Sequence, residues 1–282
     1  MWLWKNNMKK TIKFAKISAA GNDFILVDNR KKVVPRDVSS LARKWCHRKF
    51  SIGADGLMLL EESPKVDFRM RFYNSDGSVA AMCGNGGRSI ARFAHILGVA
   101  GKHMVFESDA GLISASMVGK NVRLRLSEPK DARLDFTLKV EKKEFAASFI
   151  NTGVPHTVIF VNDIEKADVD TLGRMVRYHR EFAPQGTNVN FVEKKDAHSI
   201  YVRTYERGVE GETLACGTGV TASAIISALR GIIKPPVNCL TRGGDVLKVS
   251  FTLNHEGDLL SPVSSVYLEG PAEVSFWGEA QV

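Results

Sequence analysis

Along the chain, apolar and polar residues alternate in short runs, and this pattern predicts many strands and few helices. Thr11 to Ile17 and Asp67 to Tyr73 alternate as half-buried strands do. Helical spacing appears in Asp37 to Cys46, with a cap near Asp37 or Ser39, and in Asp170 to Phe182. Glycine-containing turns separate these runs. The pattern predicts an α+β protein.

Two further predicted helices each follow a cysteine and a glycine-rich turn. One covers Val220 to Leu229 after Cys216, and the other covers Ser89 to Leu97 after Cys83. In both cases a glycine stands 15 residues beyond the cysteine, where a helix would end. Each cysteine is therefore expected at a helix N-terminus, where the free N–H groups and the helix dipole favour a thiolate and bind carboxylates.

The spacing of these features predicts an internal duplication. Cys83 and Cys216 are 133 residues apart, and the glycines Gly21 and Gly153, each before an apolar run, are 132 apart. The glycine turns that end at 111 and 244 again differ by 133 residues. A nearly constant offset over half of the chain is the signature of a repeated unit.

The expected boundary between the repeats lies at Pro129 and its charged neighbours. It divides the chain into an N-terminal half, 1–127, with one thiol and a C-terminal half, 128–264, with the other. Before this boundary, 102–107, 112–118 and 121–126 are expected to form an antiparallel meander of strands. No low-complexity linker separates the halves.

Composition and charge exclude several classes of protein. The 282 residues are 44% hydrophobic and 25% charged, which is typical of globular domains. The net charge is +8, and 13 of the 39 Lys and Arg lie in the first 50 residues, but without the aromatic platform of a nucleic-acid site. We therefore expect a solvated basic surface and no nucleic-acid partner.

The four cysteines, at 46, 83, 216 and 239, have neither zinc-site spacing nor the density of a disulfide framework. A reducing cytoplasm fits them best, and Cys46 is expected to be a buried, inert thiol. No run of 18 apolar residues predicts a membrane span, and Met1 to Met8 is too short for a signal peptide. The first seven residues are interpreted as an extension, with the start at Met1 or Met8 left open.

Other polar residues admit two interpretations on position alone. Asn22 is a turn former or a ligand-binding amide. Glu206 and Arg207, at a predicted strand end before Cys216, are a surface pair or a clamp for a zwitterion. His156 is a turn histidine or a group that tunes a thiol.

Eight sequence blocks resemble the diaminopimelate epimerase family in the order that the family has them. They cover most of the chain and lie at residues 21–24, 54–56, 73–77, 82–88, 155–156, 186–191, 205–208 and 215–219. The resemblance implies a cofactor-independent epimerase that needs neither pyridoxal phosphate nor a metal. Its substrate would be diaminopimelate, interconverted between the L,L and meso forms on the route to lysine and peptidoglycan.

Two thiols suit this chemistry, because inversion at a carbon needs one base to remove the proton and one acid on the other face to supply it. The resemblance implies that Cys216 accepts the proton in the L,L to meso direction and that Cys83 donates one. No pyridoxal delocalises the carbanion, so we expect main-chain N–H groups at both helix N-termini to stabilise it. These belong to Gly84, Asn85, Gly217 and Thr218.

The resemblance also assigns the other site residues. Glu206 and Arg207 contact the distal ammonium and carboxylate, and His156 lies close to the thiols. The binding amides correspond to Asn22, Asn74 and Asn188. Three positions depart from a common family pattern: Ala19, Gly56 and Val154.

Three alternatives remain open at this point. The proline racemase and hydroxyproline epimerase group shares the two-thiol scaffold, although its first motif has histidine where this chain has Asn85. A redox sensor would join Cys83 and Cys216 in a reversible disulfide. A binding module would hold a zwitterion without chemistry.

The expected architecture is α+β, with two similar, pseudo-symmetric halves. Each is a curved, mostly antiparallel, barrel-like sheet wrapped around the helix that follows its cysteine, with the active site in the cleft between the halves. The resemblance further implies that the C-terminal segment, 265–282, completes the first half and that the protein is a homodimer.

Overall fold

A computed structural model describes residues 11–255 and 257–282 and divides them into two units. Unit 1 comprises residues 11–116 with Ala272–Val282, and unit 2 is Met117–Pro271. The sequence predicted these boundaries after residue 127 and after residue 264. The expectation of an N-terminal extension concerns residues outside the described part of the chain.

Unit 1 contains two helices and most of the N-terminal strands. Its elements are β1 Thr11–Ala19, β2 Asn22–Asp28, α1 Val38–Cys46, β3 Gly56–Glu61, β4 Phe68–Asn74, β5 Val79–Ala80, α2 Gly84–Ile96, β6 His103–Ser108, β7 Gly111–Val118 and, from the C-terminus, β18 Glu273–Gln281.

Unit 2 repeats this series of strands and helices. Its elements are β8 Asn121–Arg125, β9 Lys130–Val140, β10 Lys143–Asn151, β11 Pro155–Phe160, α3 Val169–Arg177, a 3-10 turn Arg180–Phe182, β12 Asn188–Lys194, β13 Ser199–Glu206, β14 Gly211–Thr213, α4 Gly217–Leu229, β15 Val237–Thr241, β16 Val246–Leu253 and β17 Val263–Pro271.

The two units have the same strand pairing. In unit 1, β2 is antiparallel to β1 and parallel to β3, β3 and β5 are antiparallel to β4, and β4 is parallel to β6. In unit 2, β11 pairs in the same way with β10 and β12, and β13 with β12, β14 and β15. Along the chain, a helix lies between the two strands of each of these parallel pairs, as a crossover connection requires. This repetition confirms the prediction of two similar α+β halves.

The outer strands differ from the simple meander that the sequence suggested. β6 and β7 do pair antiparallel, but β8 pairs with β17 of unit 2. The last strand, β18, pairs with β1 from Thr11 opposite Gln281 to Ser18 opposite Glu273. In unit 2 the corresponding partner of β10 is β9, which precedes it directly in the chain.

Each unit wraps its sheet around the helix that follows its cysteine. Helix α4 contacts strands on both sides of its unit, from β10 to β17, and is buried from Gly219 to Ala228. Helix α2 contacts β1, β2 and β3. Both helices end at a glycine with positive φ, Gly98 at 66° and Gly231 at 69°, in agreement with the predicted stops.

The smaller helices pack on the outer side of the sheet segments that they connect. Asp37 caps α1 through the N–H of Ser40, as the sequence predicted, and Trp45 of this helix lies in a core cluster with Phe14. Cys46 is 2% exposed, which confirms the prediction that this thiol is buried, and burial raises its pKa to about 12. In the described residues no helix is long and apolar enough to cross a membrane.

We predict that Gly56→Ala destabilises the protein by about 1 to 3 kcal/mol, since overpacking costs this much. A β-carbon at Gly56 would overlap the ring of Phe72 and lie 2.7 Å from the main-chain oxygen of Tyr73, which has little freedom to move. Gly101→Ala is the control, because the nearest atom would be 4.0 Å away. Urea unfolding of both variants measures the difference, and equal free energies of unfolding would contradict the packing argument.

Candidate active site

Cys83 and Cys216 occupy the same position in their units, the N-cap of a 13-residue helix. Both have extended backbone, and their carbonyls accept the first helical hydrogen bonds, from the N–H of Gly87 at 2.7 Å and of Val220 at 2.9 Å. The N–H groups that follow each thiol belong to the open first turn of the helix. Each thiol therefore lies beside a positive helix end, as predicted.

The glycines in these first turns allow each helix to approach the sheet closely. A β-carbon on Gly86 would overlap the methyl group of Met58 in β3, and one on Gly219 would overlap the side-chain oxygen of Asn190 in β12. These positions correspond in the repeat. The close approach holds the first turn of each helix against the sheet.

In unit 1 a hydrogen-bonded pair joins two predicted substrate-binding residues. The amide nitrogen of Asn85 donates to the side-chain oxygen of Asn22 at 2.7 Å, and Asn22 donates to Asp55 at 2.8 Å. Arg88, which is fully buried, donates to the side-chain oxygen of Asn85 at 2.7 Å. The amide of the third predicted residue, Asn74, donates to Ser78 within its own turn at 2.9 Å.

A group of charged side chains holds the loop that carries Asn22. Arg48 forms ion pairs of 2.6 Å with both Asp23 and Asp55, and Lys16 pairs with Asp23 at 2.8 Å. Burial acts to raise the pKa of Asp23, but hydrogen bonds from Arg48 and Lys16 outweigh it, and the pKa falls to about 2. Asp23 is therefore ionised at neutral pH.

In unit 2 the carboxyl group of Glu206 is in hydrogen-bond contact with the Cys216 thiol. Thr213 donates a second bond to Glu206 at 2.9 Å. Burial raises the pKa of Glu206, although both hydrogen bonds oppose this shift. A carboxylate with a raised pKa next to a thiol is equipped to take the thiol's proton.

Asn188 and Arg207 form a second contact among the predicted residues. The main-chain N–H of Arg207 donates to the Asn188 side-chain oxygen at 2.8 Å, and the Asn188 amide donates to the carbonyl of Pro155 at 3.0 Å. The Arg207 guanidinium donates to the Gln185 carbonyl at 3.3 Å. These bonds tie the start of β12 to the end of β13, next to Glu206.

His156 is fully buried beneath α4 and is held by Asn190. The Asn190 amide donates to the carbonyl of Thr157 and to Nδ1 of His156, both at 3.1 Å, while its oxygen accepts from Thr204 at 3.0 Å. Nδ1 thus accepts, and the neutral ring carries its proton on Nε2, which has no hydrogen-bond partner among the described residues. Burial, helped by the charge of Arg207, lowers the pKa of His156 to about 3.

The polar cluster beneath α4 has an apolar counterpart beneath α2. The polar cluster consists of His156, Asn190 and Thr204. At the corresponding positions of β2, β3 and β4, unit 1 has Phe24, Met58 and Phe72, and the two phenylalanine rings pack edge to face at 5.8 Å. The repeated scaffold therefore carries two different environments behind its thiols.

The sequence reasoning missed Asn190, Thr213 and Asp55. A signal for Asn190 was present, because it lies two residues after Asn188 on the same strand face and interrupts an apolar run. Thr213 and Asp55 can be identified only from the structure, through their hydrogen bonds with Glu206 and Asn22. Their roles depend on contacts that are distant in sequence.

Comparisons with known proteins agree on one family. The family model of diaminopimelate epimerase matches residues 14–130 and 148–273. Diaminopimelate epimerase of Aquifex aeolicus is 48% identical over 253 residues, which cover 86% of this chain and 90% of that protein. The enzyme of the same name from a Hydrogenobaculum species is 43% identical and covers 93% of this chain and 96% of its own length.

Solved structures of lower identity share the fold. A PhzF-family phenazine biosynthesis protein of Bacillus anthracis superimposes with a TM-score of 0.74 at 16% identity, covering 97% of this chain and all of that one. A hydroxyproline epimerase of Agrobacterium vitis with bound trans-4-hydroxy-L-proline gives 0.69 at 14% identity, with coverages of 100% and 94%. These likenesses concern the fold alone.

We predict that His156 makes the protein less stable as the pH falls from about 6.5 towards 3. The unfolded chain binds a proton on this ring below its ordinary pKa of 6.5, whereas the native ring stays neutral down to about 3. The free energy of unfolding therefore falls by up to about 1.4 kcal/mol per pH unit in this window.

His156→Gln removes this component, so the stability advantage of the wild type over the variant should shrink on acidification. Denaturant unfolding at several pH values measures it. His103→Gln, at an exposed histidine, serves as the control and should run parallel to the wild type. A constant difference between wild type and His156→Gln would show that the native ring binds the proton.

Proposed function

The chain belongs to the diaminopimelate epimerase family, and from this premise we propose that Cys83 and Cys216 are its two catalytic thiols. The protein interconverts L,L-2,6-diaminopimelate and the meso form, a step of lysine biosynthesis, by the cofactor-independent mechanism of the family. The observation that carries the assignment is the identical N-cap position of both cysteines in the repeat. Cys46 and Cys239 are buried, and burial raises the pKa of both thiols.

Proton transfer balances if the two thiols hold opposite protonation states. In the L,L to meso direction the Cys216 thiolate removes the α-proton, and the Cys83 thiol supplies a proton to the opposite face of the carbon. The enzyme then holds a Cys216 thiol and a Cys83 thiolate. The reverse reaction exchanges these roles.

Glu206 and His156 assist the thiols in this proposal. Glu206 accepts a hydrogen bond from Cys216, and its raised pKa brings its proton affinity closer to that of a thiol. The carboxylate can then take the proton of Cys216 and leave the thiolate. His156, neutral and fixed by Asn190, tunes or relays a cysteine's proton through its Nε2–H.

The carbanion formed after proton removal is stabilised by main-chain N–H groups. We assign this role to Gly84, Asn85, Gly217 and Thr218, which form the first turns of α2 and α4. Donors of this kind are typically worth about 3 to 4 kcal/mol each in a transition state. The charge of the reacting carboxylate also interacts favourably with both helix dipoles.

The distal end of the substrate carries an ammonium and a carboxylate of fixed hand. We propose that Glu206 contacts the ammonium and Arg207 the carboxylate, next to the amide of Asn188, which bonds to the Arg207 main chain. Asn22 and Asn74 supply further amide contacts. For Asn74 this requires a turn of its side chain away from Ser78.

We predict that Cys83→Ala and Cys216→Ala each lower turnover by about a thousandfold or more, because either change removes one of two obligatory proton carriers. The measurement is deuterium incorporation from heavy water into meso-diaminopimelate, with a reducing agent and no added cofactor. The wild type should incorporate deuterium at one α-carbon as the L,L form appears. Wild-type binding without incorporation would contradict the assignment.

Cys46→Ala and Cys239→Ala are matched controls for this experiment, since both thiols are buried in the core. Each should keep wild-type exchange to within about twofold, at some cost in stability. A redox sensor would behave differently, because oxidation would then join Cys83 and Cys216 and substrate would undergo no exchange. Comparable losses in all four variants would point to a general effect of losing thiols.

We further propose a cytoplasmic homodimer. The two catalytic thiols need a reducing compartment. On β18, Trp277 is 52% exposed although it packs on Phe93, and Phe276, on the opposite face of the strand, is 47% exposed next to Phe14. The apolar surface that Trp277 leaves exposed favours association of two copies.

Trp277→Glu should therefore convert a dimer, with twice the chain mass of 31.1 kDa, into a monomer. Leu112→Glu, at a residue 64% exposed on β7, is the control and should remain dimeric. Sedimentation equilibrium distinguishes the two masses. A monomeric wild type, or dissociation by both variants alike, would overturn the proposed interface.

A further inference from the structure

Four side chains of unit 1 form a continuous chain of hydrogen bonds from a buried cation to an anion. Arg88 donates to Asn85 at 2.7 Å, Asn85 to Asn22 at 2.7 Å, and Asn22 to Asp55 at 2.8 Å. At the far end Arg48 forms an ion pair with the other oxygen of Asp55 at 2.6 Å. Arg88 is 0% exposed and Asn85 is 3% exposed.

The charged ends fix the direction of every bond in this chain. Arg88 has only donors, so the atom of Asn85 that faces it must be the oxygen. Asp55, paired with Arg48, is a carboxylate and has only acceptors, so the atom of Asn22 that faces it must be the nitrogen. The contact between the two amides then has one consistent arrangement, from the nitrogen of Asn85 to the oxygen of Asn22.

This arrangement determines what the two amides offer to a ligand. An NH2 group carries two hydrogens, and the chain uses one of them in each amide. The oxygen of each amide is already an acceptor within the chain. Each amide therefore keeps one N–H that this chain of bonds does not use, a donor suited to a carboxylate and unsuited to the NH2 of an amide.

We propose that Asp55 and Arg88 are positioning residues that orient the Asn22 and Asn85 amides as donors, so that this part of the site selects a carboxylate of the substrate. The inference rests on the proposed role of these two asparagines in substrate binding. Asp55 and Arg88 do not touch the substrate. They act through the amides between them.

The repeat shows that this chain of bonds is not a requirement of the fold. At the equivalent positions of unit 2, 132 or 133 residues later, the side chains are Val154, Thr187, Thr218 and Thr221. Unit 2 keeps the same strand pairing and the same helix without these groups. The polar chain of unit 1 is therefore specific to the ligand that unit 1 binds.

The test compares Asp55→Asn with Asp28→Asn. The asparagine introduced by Asp55→Asn has nearly the volume of aspartate, but it has one oxygen where Asp55 uses two, one for Asn22 and one for Arg48. Its NH2 group must therefore face one of these donors, and where it faces Asn22 it opposes the orientation that Arg88 imposes from the other end. Asp28 is a matched control: it is on the same strand as Asn22, its side chain is 35% exposed, as is that of Asp55, and it too pairs with an arginine. Deuterium exchange is measured on meso-diaminopimelate and on its two mono-amides, in which one carboxylate is a carboxamide.

Asp55→Asn should lower kcat/KM for diaminopimelate at least tenfold, chiefly through KM. It should also reduce the preference for diaminopimelate over one of the mono-amides about tenfold. Asp28→Asn should change neither quantity by more than about twofold. If the role of Asp55 were purely structural, Asp55→Asn would lower the exchange rates of diaminopimelate and of both mono-amides together and leave the preference unchanged.

An unchanged preference in Asp55→Asn, or equal effects of the two substitutions, would overturn the proposal. Asn22→Ala separates this failure from a failure of the proposed function. If the wild type exchanges the α-proton and Asn22→Ala raises KM while Asp55→Asn does not change the preference, only the orienting role is wrong. If the wild type shows no exchange, the catalytic assignment fails as well.

Discussion

Direct packing of a helix's first turn on the sheet fixes the position of each of the two cysteines, Cys83 and Cys216. Here that packing depends on two glycines, Gly86 against Met58 and Gly219 against Asn190, at distances that leave no room for a side chain. The cysteine, its N-cap geometry and the open N–H groups follow from this approach. At Gly219 a larger residue would displace the hydrogen-bonded Asn190 or lift the helix and move the thiol with it, whereas at Gly86 the flexible end of Met58 would have to give way first.

The duplicated backbone allows the two halves to specialise. Behind Cys216 the chain has placed a buried histidine, an amide and a hydroxyl, together with a carboxyl group whose pKa is raised by burial. Behind Cys83 the same strand positions are apolar, and the polar groups lie beside the helix start in a chain from Arg88 to Asp55. The two cysteines therefore have unlike surroundings on one repeated backbone.

The sequence was sufficient for the features that are local or periodic. The two cysteine turns, the helices that follow them, their glycine stops and the repeat of 132 to 133 residues all appear in the structure. The pairing of β8 with β17 was not predicted, because strands separated by over a hundred residues leave no local signal of their partner. Asn190 and Asp55 lie in sequence blocks that resemble the family, and Asn190 shares a strand face with Asn188. Their contacts with His156 and Asn22 were still not predictable, because these residues become neighbours only after folding.

The outer strand of unit 1, β18, comes from the C-terminal part of the chain, and this affects how the protein folds during synthesis on the ribosome. Unit 2 is made of one continuous segment, Met117–Pro271, and its edge strand β9 directly precedes β10. Residues 11–116 of unit 1 are made before unit 2, but β1 pairs with β18, which is translated only after all of unit 2. The unit that is begun first is therefore completed after the other one, and its β1 edge stays open until β18 has been made.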